Sequence, residues 1–486
     1  MTVKRERALF CALAVVLVLV RSFVAGYYEG FYFDSDQAIV GLMARHLSRF
    51  HTFPLFYYGL NYMLGVEAWI IAPFFAIARS SVQLARLPFV ALNAVVAVWL
   101  VDRLSERGGL HPAIAFVAAL PFIMPTPVVS GHLLELAGSC VEPFAYVILL
   151  WTLRRRQLAF GALLAVAYLH REFTIFTLPA LVLVECRRRA FWTRDTALGF
   201  AWALAGFAIV WFVVDDVKMH VIGNGLIGQT ASLRGQMCTS LPELLPRIRA
   251  MATEAVPILY GGKAMPLAAA RMTTSLAAGS PLIGWVVAVT LGVMVVRVMS
   301  TSRQSIDASV SESERGFGAY LALVGLFTAC AYPLSCNVTL HGAPLLRYLL
   351  LALLLPIGCF VAFAQRERSR TLRPFAVAVF LVWGAANLWD NVRLIREALH
   401  DPPGSEHRAL VNYLLQQRIR YARAIYWDAY VVDFLSGERV VTASVDIVRI
   451  AEYQKLVDEH AGAAVNLERL PCEGSVRVAS WCIRPP

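Results

Sequence analysis

Two carboxylates at the edge of an apolar run are the first residues here whose types and spacing could do chemistry. In FYFDSDQAIVGLMARHLSRF (residues 31–50), Asp34 and Asp36 follow the first strongly apolar stretch and precede a stripe of Ile39, Leu42, Met43 and Leu47. Asp34 and Gln37 have the spacing of a capping box, where the acid accepts from a free amide at a helix start and the Gln reaches back. The stripe, with Arg45, Ser48 and Arg49 on other faces, predicts a helix lying on a membrane surface. Capping accounts for one acid. Two carboxylates two residues apart repel unless a cation pairs with them, and an acid facing an anion-handling site can act as a general base. At this level both readings of the pair stand.

Further polar residues fall at predicted outer ends of apolar runs. Arg86 sits in VQLARLPF, Glu67 in YMLGVEAWIIAPFFAIA beside Tyr62, and His170, Arg171 and Glu172 between two short apolar segments. His341 and Arg347 flank another run. Ionisable residues at membrane depth are costly and mark pathways or sites. Singly each has an ordinary explanation, since Arg near a span end snorkels to headgroups and a lone His is commonly structural. Together, at similar depth on the face that carries the two acids, they could grip a lipid phosphate while an acid activates a hydroxyl.

The elements that would position them are membrane helices. The chain has 486 residues, 58% hydrophobic and only 16% charged, with a mean hydropathy of +0.60. Its apolar runs approach or reach the roughly 20 residues that cross a bilayer, for example 8–25, 197–214 and 345–364. The fold class is a polytopic α-helical membrane protein. The net charge of +11 does not point to nucleic acid, because the basic residues cluster between apolar runs (Lys4, Arg5 and Arg7; Arg154–Arg156; Arg187–Arg189; Arg366–Arg373), as cytoplasmic loops require. The basic N-terminus followed by an apolar run reads as an uncleaved first helix, SFVAGYY offering no small-x-small cleavage site.

Threading the chain with these clusters inside predicts spans at 8–26, 83–101, 112–126, 136–152, 158–169, 173–185, 196–214, 280–298, 317–335, 345–364 and 374–390. That is about eleven, with the N-terminus cytoplasmic and the C-terminus outside. Residues 1–390 form the transmembrane domain, with outer loops at 27–80 and 215–279, and 63–79 read as interfacial or re-entrant. Residues 391–486 read as a small extracytoplasmic α/β domain: EHRALVNYLLQQ has helical spacing, ARAIYW and RVVTASV are strand-like, and SGE between them is a turn. The cysteines show no zinc-ligand spacing. Cys238, Cys336, Cys472 and Cys482 fall outside, where an oxidising compartment would permit a Cys472–Cys482 bridge, and NVT at 337–339 is a glycosylation sequon.

FDSDQAIVGLMARHL, FPLFYYGLNYMLGVEAWIIAP, LARLPFVALNAVVAVWLVDRL, the RYLLLALLLP segment and YWDAYVVDFLSGERV together resemble the GT-C glycosyltransferases. The likeness is to the bacterial branch related to protein O-mannosyltransferases and lipid A aminoarabinose transferases. The resemblance implies a GT-C-like fold and an inverting transfer of a sugar from a polyprenyl-phosphate donor to an acceptor hydroxyl on the outer face. It implies Asp36 as the base, with Asp34 or Glu67 as a second acid. It places the donor phosphate on Arg86, Arg347, Arg171 and His170, with Glu172, His341 and Tyr62 as further site candidates. Gln37 stands where many relatives have Glu, a departure that speaks against a metal-binding role for that position; the resemblance leaves a divalent metal possible and no cofactor certain. The implied partners are the lipid-linked donor, membrane lipids, and a glycan, lipid or protein acceptor, with no nucleic acid, in a bacterial inner membrane. The rival functions are a transporter or flippase of lipid-linked glycans, and a polysaccharide polymerase or ligase.

Overall fold

The computed structural model describes residues 2–31, 33–137, 141–186, 193–222, 226, 237–261, 281–300, 316–336, 339–340, 343–470 and 476–485. Five of its helices are long and apolar enough to cross a membrane: Val3–Tyr27, Val82–Glu106, Arg194–Val221, Phe317–Leu334 and Leu372–His400. Shorter apolar helices, among them Val66–Ile77, Pro112–Ile123, Glu142–Leu153 and Gln157–His170, stand beside them. The first helix, α1 (Val3–Tyr27), shows how the pattern works. Ala14, Val18, Arg21 and Ala25 recur at helical spacing on its buried face, while Leu9, Leu13, Val16 and Phe23 on the other are exposed, as a lipid-facing surface allows. The buried face carries a polar link: Arg21 donates to Asn93 Oδ1 at 2.7 Å, and Asn93 donates on to the Leu133 carbonyl at 2.8 Å.

After α1 come α2 (Ser35–Ser48), a hairpin of β1 (Phe56–Tyr57) and β2 (Leu60–Leu64), α3 (Val66–Ile77) and α4 (Val82–Glu106). Gly59, with φ of +69° in the hairpin turn, occupies the left-handed region that costs glycine nothing. At 12 residues, about 18 Å, α3 is shorter than the roughly 20 residues that cross a bilayer, as are the helices Pro112–Ile123 and Glu142–Leu153.

Two sequence expectations change here. First, α2 does not lie on a surface with a solvated face, since Ala38 to Arg45 are buried on every side. Its polar face is covered by the C-terminal part of the chain. Second, the last apolar helix does not stop near residue 390 but runs to His400.

The C-terminal part carries a five-stranded sheet. Its central strand, Tyr421–Ala424, pairs in parallel with Val441–Ser444 on one side and Val465–Arg469 on the other, and an antiparallel hairpin (Val476–Val478, Trp481–Arg484) extends the sheet. The helix predicted from EHRALVNYLLQQ is Glu406–Gln416. Between the first two strands the structure holds a helix, Tyr426–Ser436, as a parallel pair requires a crossover. The SGE turn is that helix's end, with Gly437 at φ +69°. Phe434, Tyr430 and Leu410 join Ile39, Leu42 and Val96 in one continuous apolar core.

Candidate active site

Asp34 has the local role its spacing predicts: it is the N-cap of α2, its side chain accepting from the Gln37 amide at 3.0 Å. Gln37 Oε1 in turn accepts from Arg86 Nη2 at 3.4 Å. Burial, the neighbouring Asp36 and Glu135 together push the Asp34 carboxyl up to about 7. Asp36, in the first turn of α2, turns its carboxylate to a different environment. One oxygen accepts from the Tyr426 hydroxyl, at the start of the crossover helix, and the other from Arg347 Nη1 at 3.3 Å. Burial and the Asp36 charge raise the Tyr426 hydroxyl well above the usual phenol range, so it stays a donor. The backbone carbonyl of Asp36 accepts from Tyr57 at 2.9 Å, and Ser35 Oγ donates to the Tyr426 carbonyl at 2.5 Å. The first turn of α2 is thus gripped by β1 below and the crossover helix above. Asp36 and Arg347 keep side-chain exposures of 21% and 27%, so this ion pair is reachable from outside.

Arg86 is placed differently from the phosphate-binding position its resemblance implies. It is 2% exposed, donating to the backbone carbonyls of Ala25 at 2.5 Å, Phe31 at 2.8 Å and Tyr28 at 3.4 Å. Those carbonyls end α1 and lead into the acidic segment, and a buried guanidinium with five donors in a fixed fork suits such a cluster of acceptors. In this geometry Arg86 holds the backbone that presents Asp34 and Asp36.

Arg171, His170 and Glu67 come together in a second, fully buried cluster. Arg171 pairs with Glu67, and His170 Nε2 lies 3.1 Å from its other oxygen. Tyr146 contacts His170 Nδ1 at 2.9 Å. Glu142, which the sequence does not single out, completes it: Glu67, Glu142 and His170 hold ligand atoms within 4.8 Å of one another, a grouping able to take a cation. Both Glu142 carboxylate oxygens are buried without a hydrogen-bond partner among the described residues, which fits that donor set. Gln37, already facing Arg86, is not part of it. Tyr62 has its hydroxyl raised by burial and then by Glu172, with Arg449 and Arg347 near enough to oppose the shift. His341, Cys472, and Asn337 and Val338 of the NVT sequon lie outside the described residues.

Three contributors to the exposed site escape sequence reasoning. Tyr426 and Tyr57 are tyrosines in apolar runs with no local mark. Glu135 pairs with His132 at 2.7 Å and is close enough to Asp34, Arg86 and Arg347 to influence all three. Its one signal is a lone acid in GHLLELAG, an apolar context.

The chain is similar to ArnT from Cupriavidus metallidurans bound to undecaprenyl phosphate, at 16% identity over 98% of this chain and 97% of that one, with a TM-score of 0.43. It is also similar to the same protein in the apo state, at 14% identity over 95% and 92%, with a TM-score of 0.39. No family model and no curated protein matches the chain.

Proposed function

We propose that this protein is a GT-C-type glycosyltransferase that takes a sugar from a polyprenyl-phosphate donor and passes it, with inversion, to an acceptor hydroxyl at the outer membrane surface. The observation that carries the reading is the reachable Asp36–Arg347 pair, held by Tyr426 at the mouth of an otherwise buried helix. A base and a cation side by side are what this displacement needs. Asp36 accepts the proton of the acceptor hydroxyl, whose oxygen attacks the anomeric carbon from the face opposite the phosphate. The bond from that carbon to the phosphate oxygen breaks, and its electron pair leaves with the lipid phosphate. Arg347 moves from Asp36 to the phosphate and stabilises the charge developing there, so no general acid is required. Tyr426 keeps the carboxylate aimed at the acceptor. A divalent cation, where the reaction uses one, would be held by Glu67, Glu142 and His170 and would supply positive charge there.

The same reading sets the topology: about eleven spans with a cytoplasmic N-terminus and the sheet-bearing C-terminal part outside. The Cys238–Cys336 disulfide supports an oxidising compartment for the loops that carry it.

The test uses purified protein in nanodiscs with radiolabelled polyprenyl-phosphate sugars and a membrane extract as acceptor source. Sugar transfer by the wild type and its loss in Asp36→Asn are expected. Equal transfer by both would return Asp36 to helix packing, and lipid flipping without transfer in both would favour a transporter.

A further inference from the structure

The far end of α2 borders a cavity of about 610 Å³ that the proposed reaction does not use. Five arginines line it: Arg45 and Arg49 from the end of α2, Arg79 from the α3–α4 connection, and Arg408 and Arg439 from the C-terminal part. No carboxylate is among its lining residues. Two of the five are neutralised, Arg45 by Glu438 at 3.4 Å and Arg408 by Glu29 at 2.5 Å. Arg439 donates Nε to the Ser436 carbonyl, and Arg49, Arg79 and Arg439 are all exposed, with no carboxylate at ion-pair distance among the described residues. Three uncompensated guanidiniums therefore converge on one concavity. Such an arrangement raises the local potential for anions and costs free energy until one binds.

The cavity continues into an apolar groove of about 630 Å³ between α1 and α4. Leu19, Phe23 and Tyr27 of α1 face Leu84, Leu87 and Val90 of α4 along it, and Ala78, Arg79 and Ser81 belong to both spaces. Beside the junction the apolar side chains of Phe50, Phe53 and Ile77 stand 78%, 62% and 84% exposed. Exposed aromatic and aliphatic residues just past α2 and at the end of α3 suit the bilayer interface. The combined space is cationic where it meets the headgroup level and apolar where it enters the hydrocarbon.

From this juxtaposition we infer a binding site for an anionic phospholipid of the outer leaflet, its phosphate among Arg49, Arg79 and Arg439 and an acyl chain in the α1–α4 groove. The lipid is not the reacting donor: 13 residues of helix, about 20 Å, separate Arg49 from Asp36. It bridges the membrane helices, through Arg79, to the C-terminal part, through Arg439, and holds the two together over the acidic end of α2.

The test measures binding of spin-labelled phosphatidylglycerol and phosphatidylcholine to full-length protein in detergent, with thermal unfolding alongside. Phosphatidylglycerol is expected to bind the wild type about tenfold more tightly than phosphatidylcholine and to raise its unfolding temperature. The variant R49A/R79A/R439A is expected to lose that preference while unfolding at the wild-type temperature in lipid-free detergent. Arg79→Gln, a single exposed change, is expected to reduce it. Equal binding of the two lipids by the wild type overturns the inference, as does a preference that survives in the triple variant. A full thermal shift with glycerol phosphate alone overturns it in favour of a site for a free anion.

Discussion

Asp36 and Asp34 are two residues apart on one helix start, and their surroundings give them different work. Asp34 spends its oxygen on a backbone amide, whereas Asp36 is shared between a phenol and a guanidinium. Asp36→Asn is therefore expected to lower transfer by about 10²-fold or more, with unchanged unfolding temperature, read by radiolabelled sugar release. Tyr426→Phe removes one hydrogen bond to the proposed base and is expected to cost roughly tenfold in kcat, with donor KM little changed. Arg347→Ala is expected to raise donor KM as well as to lower kcat. Asp34 sets a pH dependence of stability. Its carboxyl is raised to about 7 in the fold, against about 3.9 in an unfolded chain. The folded state then binds the extra proton between those values, so stability falls as pH rises from about 4 to about 7 and stays low above. Asn keeps the cap without the charge. The unfolding temperature of Asp34→Asn is expected to fall less than that of wild type between pH 5 and pH 8, and parallel slopes would remove Asp34 from the titration.

At the scale of elements, the contact of α2 with the crossover helix Tyr426–Ser436 decides the site. It is close because Gly41 has no side chain: a Cβ there would lie 2.5 Å from Cε2 of Phe434. Arg45 reinforces the contact, donating to the Phe434 carbonyl at 2.8 Å with its guanidinium 4.6 Å from the Phe434 ring. Gly41→Val is expected to push the two helices apart, detach Tyr426 from Asp36, and abolish transfer while leaving membrane insertion intact. Limited proteolysis of the 401–405 connection, faster in the variant than in wild type, would show the detachment. The amphipathic pattern of α2 is legible in the sequence, and so is its cap. What covers the polar face is not, because a helix with a polar face is equally suited to water, headgroups or another protein surface.

Across the whole molecule, the membrane helices and the C-terminal sheet are tied by polar hubs as well as by the shared core. Glu438 accepts from His46 and Tyr453 at 2.7 Å each and pairs with Arg45. Burial acts to raise its carboxyl, but these three partners hold it down at about 2. Replacing it with Gln leaves Arg45 buried without its counter-ion, a loss of about 1–3 kcal/mol. A lower unfolding temperature in detergent, with the two halves no longer melting together, is the expected reading. The Cys238–Cys336 bridge closes a 98-residue separation. Cys336→Ser is expected to lower stability by about 2–4 kcal/mol, and dithiothreitol should destabilise wild type more than the variant.

Local order was determined by the sequence alone. Apolar runs of membrane length, basic clusters between them, the Asp34 cap, and the helix and two strands near the C-terminus all follow from period and composition, which act within a few turns of chain. The site is not local. Tyr426 and Asp36 are 390 residues apart, Arg347 and Asp36 are 311 apart, and no periodicity relates them. Arg86 makes the same point in reverse, since an Arg at the outer start of a helix suits a lipid phosphate and a set of loop carbonyls equally well. Only the packing of α1 against α4 gave it the carbonyls of Ala25 and Phe31, because a buried guanidinium takes the acceptors that the fold leaves within its reach.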